Sequence, residues 1–209
     1  MSTLLTQSFY SQDALYVAPR LLGKILVRKL GDTYVRCQIV EVEAYAGPHD
    51  KAAHVYNNKR TSRTESMFLA GGHTYVYIIY GMHHCLNIVT GHPDKPQGVL
   101  IRGVEPLDEA SFRMIKQNRP ILSKKLSDFT NGPGKLCAAL NIDKSLNGYN
   151  LISGKELFLE DAHNNPSIVC SPRINIPYAE EYIQKPWRYY IKDNPYVSVM
   201  DPNSIFYQL

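Results

Sequence analysis

The chain has 209 residues, 44% hydrophobic and 20% charged, a composition that excludes a disordered or low-complexity protein and supports one sizeable core. A net charge of +4 permits a polyanionic partner without demonstrating one. No apolar run approaches the roughly 20 residues of a membrane helix, and the first residues lack the basic and apolar regions of a secretion signal. A single domain over 1–209 is expected. Cys37, Cys85, Cys137 and Cys170 are widely spaced with no C-x-x-C pair, so buried free thiols in an intracellular compartment (cytoplasm, nucleoid or nucleus) are expected, not a disulfide framework. Fifteen tyrosines against one tryptophan suit a wet interface built from flat faces with polar tips.

In chain order, Pro19 to Leu22, closed by Gly23, reads as a short helix with proline at its start. Lys24 to Leu30 and Tyr34 to Ala44 read as strands joined at Gly31-Asp32. Gly47 to Ser66 is polar and carries Lys51, Lys59, Arg60 and Arg63; it is expected to be a long loop with one helical turn. Tyr75 to Tyr80 and His83 to Val89 are expected to form a hairpin through a two-residue II′ turn at Gly81-Met82. That pairing sets Tyr80 opposite His83 and places Tyr75, Tyr77 and Ile79 on one face with His84, Leu86 and Ile88. Gly98 to Val104 is a further strand. Pro106 opens a helix to about Gln117 with Leu107, Ala110, Ser111 and Met114 on one stripe. Pro133 opens another through Leu140, and short strands between proline-marked turns follow. Strands dominate, so the fold expected is α+β: a mostly antiparallel curved sheet flanked by short helices, with a protruding hairpin.

Several residues could carry chemistry. Period-two alternation places Glu41, Glu43 and Tyr45 on one strand face, with Val40, Val42 and Ala44 on the other. Two carboxylates and a tyrosine before a loop could hold a general base, although a solvated strand face is the commoner meaning of such a pattern. His54 alone is more often a surface histidine than a catalyst. His83 and His84 point to opposite faces. His49, Asp50 and His54 are a looser cluster without the spacing of a metal site, so no metal is expected. Arg102, inside an apolar strand, either pairs with a carboxylate or phosphate or faces outward. Gly132-Pro133-Gly134-Lys135 offers backbone N–H groups to an anion but reads better as a plain helix start. Lys185 to Lys192 interleaves base and aromatic, as a nucleic-acid strip or as a mixed strand. Tyr80 is the residue packing does not explain: it sits at a tip beyond any core, where a large aromatic needs a surface such as a stacked base step.

The segments Ile39 to Pro48 with Ala52-Ala53-His54, Met67-Phe68, Tyr75 to Met82 with Asn87, and Val99 to Leu107 resemble the alkyladenine (3-methyladenine) DNA glycosylase family. So do Gly132-Pro133 with Lys135 to Cys137, and Lys185-Pro186 with Arg188, Pro195, Val197 and Ser198. The likeness runs from about Leu15 to Asp201. It implies a monofunctional enzyme that hydrolyses the N-glycosidic bond of alkylated purines in double-stranded DNA, for base excision repair, without lyase activity or a cofactor. The lesions implied are 3-methyladenine and 7-methylguanine, with hypoxanthine and ethenoadenine as further candidates. Glu43 matches the general base. Tyr45, His54 and Tyr77 match the pocket around the extruded base, and Asn87 and Arg102 match pocket or DNA-contact positions. Tyr80 matches the residue that fills the gap left by the flipped nucleotide, with Met82 and His83 beside it as weaker DNA contacts. The chain departs from the pattern at His83, where tyrosine is usual, and across Val55 to Ser66. Nothing demands a dimer, so a monomer is expected. The main competing expectation is a binding module of the same fold that recognises damaged DNA without hydrolysis; a metal hydrolase using His49, Asp50 and His54 is the third.

Overall fold

The computed structural model describes residues 3–162 and 164–209. In chain order the elements are β1 (Thr3–Leu4), α1 (Gln7–Tyr10), α2 (Ala14–Leu21), β2 (Ile25–Leu30), β3 (Thr33–Tyr45), β4 (Thr74–Ile79), β5 (His83–Val89) and β6 (Gly98–Pro106). They continue with α3 (Glu109–Asn118), α4 (Pro133–Ala139), β7 (Leu157–Asp161), β8 (Ile168–Ser171), β9 (Arg188–Ile191) and β10 (Ile205–Tyr207). The strands form one open antiparallel sheet in the order β1-β7-β2-β3-β6-β5-β4, with β9, β8 and β10 branching from β3. The α+β expectation holds.

The branch comes from the length of β3. Its first half pairs with β2 through Ile25↔Gln38 to Leu30↔Thr33, and Glu41 to Glu43 then take β9 on the same edge. β6 runs along the opposite edge, but not in simple register. Ile39 pairs Val104, Glu41 pairs Gly103 and Val42 pairs Ile101, so Val40 on β3 and Arg102 on β6 fall outside the ladder. Such bulges bend a strand and re-aim its side chains. This corrects the simple alternation. Ile39, Val42 and Ala44 join the main core, while Val40 packs in a separate cluster with Val169, Tyr190, Tyr196 and Val197.

The helices cover one face of the central strands. Ala14, Val17, Ala18 and Leu21 of α2, Ile115 of α3 and Leu136 and Cys137 of α4 bury against Val42, Leu86, Val99 and Ile101. Helix α2 starts five residues earlier than Pro19, which lies inside it; the apolar stripe of Ala14, Val17, Ala18 and Leu21 outweighs the one N–H that proline removes. Pro106 ends β6, and α3 begins beyond it, with the Asp108 carboxylate accepting from the Ser111 N–H at 2.7 Å. Its inward stripe is therefore Ser111 and Ile115, with Leu107 and Ala110 exposed. Helix α4 starts with Pro133 in its first turn, as expected. The polar stretch from 47 to 66 holds short 3-10 turns at Tyr56–Asn58 and, just beyond, Glu65–Phe68.

The hairpin differs from expectation by one residue, with large consequences. Tyr80 and Gly81 both have left-handed φ (54° and 69°), and Met82 N–H bonds the Ile79 carbonyl at 3.3 Å. The turn is therefore centred on Tyr80-Gly81, and Ile79 pairs His83 across a three-residue loop. Glycine suits the second of these positions at no steric cost. A one-residue slip turns every side chain of one strand to the other face. Tyr75, Tyr77 and Ile79 thus share their face with Asn87, Cys85 and His83, not with Ile88, Leu86 and His84. Tyr80 remains at the tip, 78% exposed.

Candidate active site

The face of the sheet away from the helices carries charge. Six ionisable side chains are buried there with none more than 8% exposed: Glu41, Glu43, Asp50, Arg102, Arg173 and Arg188. Three carboxylates meet three guanidinium groups, the condition under which burial of charge is tolerable. Glu41 Oε1 accepts from Arg188 Nη1 (3.0 Å), Arg102 Nε (3.2 Å) and Ser198 Oγ (2.9 Å), and its Oε2 accepts from the Ser198 N–H (2.7 Å). Glu43 Oε2 accepts from the Tyr45 hydroxyl (2.9 Å) and lies 3.3 Å from Arg102 Nη1, while its Oε1 accepts from the Ile174 N–H (2.7 Å). The off-ladder placement of Arg102 is what lets one guanidinium reach both carboxylates. Burial, then the Glu43 charge, raises the Tyr45 phenol well above its usual range, so it stays protonated and donates.

Asp50 and Arg173 form a bidentate pair at 2.6 and 2.8 Å, with both side chains fully buried. The same carboxylate accepts from the N–H groups of Ala46 (3.2 Å) and Ala52 (3.0 Å), and Arg173 also donates to the Ala44 carbonyl (2.9 Å). Its guanidinium lies 4.8 Å from the Tyr45 ring centre and 5.0 Å from that of Trp187. This pair fixes the loop that delivers His54.

Above the charges lies a cavity of about 310 Å³, at the small end for a ligand site. Tyr45, His54, Tyr75 and Tyr77 form its aromatic wall, with Leu100, Asn87 and Arg102 from the central strands and Ile174 to Ile176 from the loop before β9. Tyr75 and Tyr77 stack at 5.2 Å, and the His54 ring meets Tyr77 edge-on at 4.7 Å. His54 Nδ1 pairs with the Tyr75 hydroxyl at 2.9 Å. Burial, reinforced by the nearby Arg63 charge, lowers His54 to about 4, so the ring is neutral at pH 7. Burial raises the Tyr75 phenol to about 12 and raises Tyr77 further, with Cys85 adding to the latter. Glu43 sits one layer behind the wall formed by Tyr45, Leu100, Arg102 and Ile174. At the hairpin tip, Ile79, Tyr80 and His83 line the same cavity.

A family model described as methylpurine-DNA glycosylase (MPG) matches residues 8–195, nearly the whole chain. The chain belongs to this family. It is a DNA glycosylase. Relatives bearing the name "Putative 3-methyladenine DNA glycosylase" include one from Natranaerobius thermophilus, 49% identical over 93% of this chain and 98% of its own. One from Clostridium botulinum is 50% identical with the same coverage, and one from Borrelia garinii subsp. bavariensis is 50% identical over 91% and 97%.

In this glycosylase Tyr45, His54, Tyr77, Asn87 and Arg102, which lie far apart in the chain, surround one cavity. Tyr80 and His83 stand at its edge, whereas Met82 is 70% exposed and outside the lining. Glu41 and Glu43 are wholly buried, which corrects the solvated-face alternative, and Arg102 is buried and paired, not outward. The His49, Asp50 and His54 cluster does not form: Asp50 is turned to Arg173, and among the described residues no three His, Cys, Asp or Glu side chains converge to hold an ion. The strip Lys185 to Lys192 is structural at its centre. Arg188 is 2% exposed on Glu41, Tyr189 and Tyr190 are buried, and Trp187 packs on Tyr182 and Arg173. All four cysteines are free and buried, as expected. Among the described residues no helix is long and apolar enough to cross a membrane. Arg173, Cys85 and the Ile174 N–H escaped the sequence reading as parts of the site. Arg173 between Pro172 and Ile174, like Arg102, was a guanidinium in an apolar setting, and that was the available signal.

Proposed function

We propose that this glycosylase flips alkylated purines, 3-methyladenine and 7-methylguanine among them, out of duplex DNA and hydrolyses their N-glycosidic bond with water activated by Glu43. The supporting observation is the convergence of a buried carboxylate, an aromatic cavity and an exposed tyrosine at one place. Chemistry on a base requires its removal from the stack, at a cost of a few kcal/mol. We read Tyr80, 78% exposed at the edge of the cavity, as the residue that fills the gap a flipped nucleotide leaves.

Alkylation at adenine N3 or guanine N7 makes the base cationic. Tyr45 and Tyr77 offer electron-rich faces, worth about 1–2 kcal/mol to a desolvated cation, and a neutral His54 adds no opposing charge. A cationic base is already a good leaving group, so a strong acid is dispensable. Glu43 has about four acceptor positions. Tyr45 and Ile174 take two and Arg102 pairs beside them, which leaves Glu43 the capacity to orient and deprotonate a water as the sugar becomes oxocarbenium-like. Asn87 and Arg102 bound the base pocket, and Met82 and His83 contact the duplex beside the wedge. We read the protein as acting as a monomer. Four free cysteines suit action inside the cell. Hydrolysis without a lysine nucleophile leaves an abasic site and an intact backbone, so lyase activity is not expected. Product analysis on methylated duplex tests this: free methylated purine with unbroken strands is expected, and binding without base release or direct strand cleavage would overturn it.

A further inference from the structure

The loop before β9 carries a carboxamide that packing does not account for. Asn175 has φ 59°, in the left-handed region that glycine adopts freely and asparagine more readily than other side chains. Its side chain is exposed and lines the cavity, and among the described residues its carboxamide makes no hydrogen bond. The cavity's other carboxamide, Asn87, is held by the Tyr75 carbonyl at 3.1 Å. Asn175 is flanked by two anchors: the Ile174 N–H is bound to Glu43 Oε1 at 2.7 Å, and Ile176 is buried beside Ala52 and Ala179. With both neighbours anchored, the backbone of Asn175 is held in place at the cavity.

Position decides what the carboxamide meets. Resting on the reading of Glu43 above, the sugar C1′ must lie on the side of the cavity that backs onto Glu43, which puts the glycosidic side of the base near the residue that follows Ile174. On that side a guanine-type base presents the N3 acceptor next to the N2 amino donor. A carboxamide supplies the complementary donor and acceptor. 3-Methyladenine presents a methyl group at N3 and no amino group beside it. We propose that Asn175 is a specificity-determining residue that hydrogen-bonds the N3/N2 edge of guanine-type lesions and so raises 7-methylguanine relative to 3-methyladenine.

The test is kcat/KM for both lesions in the same duplex, with wild type, Asn175→Ala and Asn175→Gly. Asn175→Gly removes the carboxamide while relaxing the backbone, so it remains informative if the alanine variant folds poorly. The ratio of 7-methylguanine to 3-methyladenine is expected to fall about tenfold in Asn175→Gly, the effect of one neutral hydrogen bond. An unchanged or increased ratio overturns the assignment. Failure of the wild type to release either base would instead sink the reading of Glu43 and the cavity.

Discussion

Asp50 is expected to be among the most costly single side chains to lose. In Asp50→Ala the Arg173 guanidinium stays in a site where its side chain has no exposure, with the Ala44 carbonyl as its remaining acceptor. Its Nε already has no hydrogen-bond partner among the described residues. Leaving one half of a buried ion pair uncompensated costs about 3–5 kcal/mol. The Ala46 and Ala52 N–H groups lose their acceptor as well, which pushes the loss toward the upper end. Against a total stability of about 5–15 kcal/mol this is a large share. For a chain of this length it corresponds to a fall in Tm of roughly 10 °C or more. Urea unfolding should show a lower midpoint at unchanged slope. The double variant Asp50→Leu/Arg173→Met removes both charges and should recover much of the loss, because apolar groups of similar size often replace a buried pair at little cost. A loss under about 1 kcal/mol in Asp50→Ala, or a double variant no more stable than the single, would refute the reasoning.

Two further outcomes follow from the site. Tyr80→Ser removes an exposed ring, so stability should change by no more than about 0.5 kcal/mol, while single-turnover base release from duplex falls at least tenfold; equal rates would remove the wedge role. His54, held near 4 in the folded state against about 6.5 unfolded, is neutral when folded and takes up a proton on unfolding as pH falls. Its contribution is therefore complete above about pH 6.5 and is lost as pH drops toward 4. Between pH 7 and 4.5 the wild type should lose about 2 kcal/mol more than His54→Gln in paired urea titrations, and identical pH profiles would contradict the assignment.

The parts of this protein legible in its sequence are those set by neighbours in the chain. The strand carrying Glu43, the helix opened by Pro133 and the exposed tip at Tyr80 all follow from local pattern. Long-range register does not. Glycine in Gly81-Met82 fits a II′ turn as well as it fits the second place of a turn on Tyr80-Gly81, and only the pairing of the whole hairpin decides. That one-residue difference is what turns Cys85 and Asn87 into the cavity with Tyr77. The bulge at Val40 and Arg102 is equally silent, because each strand alone looks regular. Arg173 lies 123 residues from Asp50, and no spacing rule links them. Period-two alternation found the right face for Glu41 and Glu43, yet polar residues on a strand face normally mean solvent; here Arg102 and Arg188 make burial tolerable. Proline misled twice, at Pro19 and Pro106, where hydrophobic packing and the Asp108 cap set the helix ends.

The central claim is that Glu43 performs the hydrolysis and does not merely hold the site together. The direct measurement is single-turnover release of 3-methyladenine from methylated duplex by wild type and Glu43→Gln, alongside the DNA affinity of each. The amide keeps the shape of the carboxylate, and the account predicts base release reduced by at least a hundredfold, the scale of a lost general base, with affinity for the lesion duplex within a few fold. Release at the wild-type rate by a folded Glu43→Gln variant would contradict it.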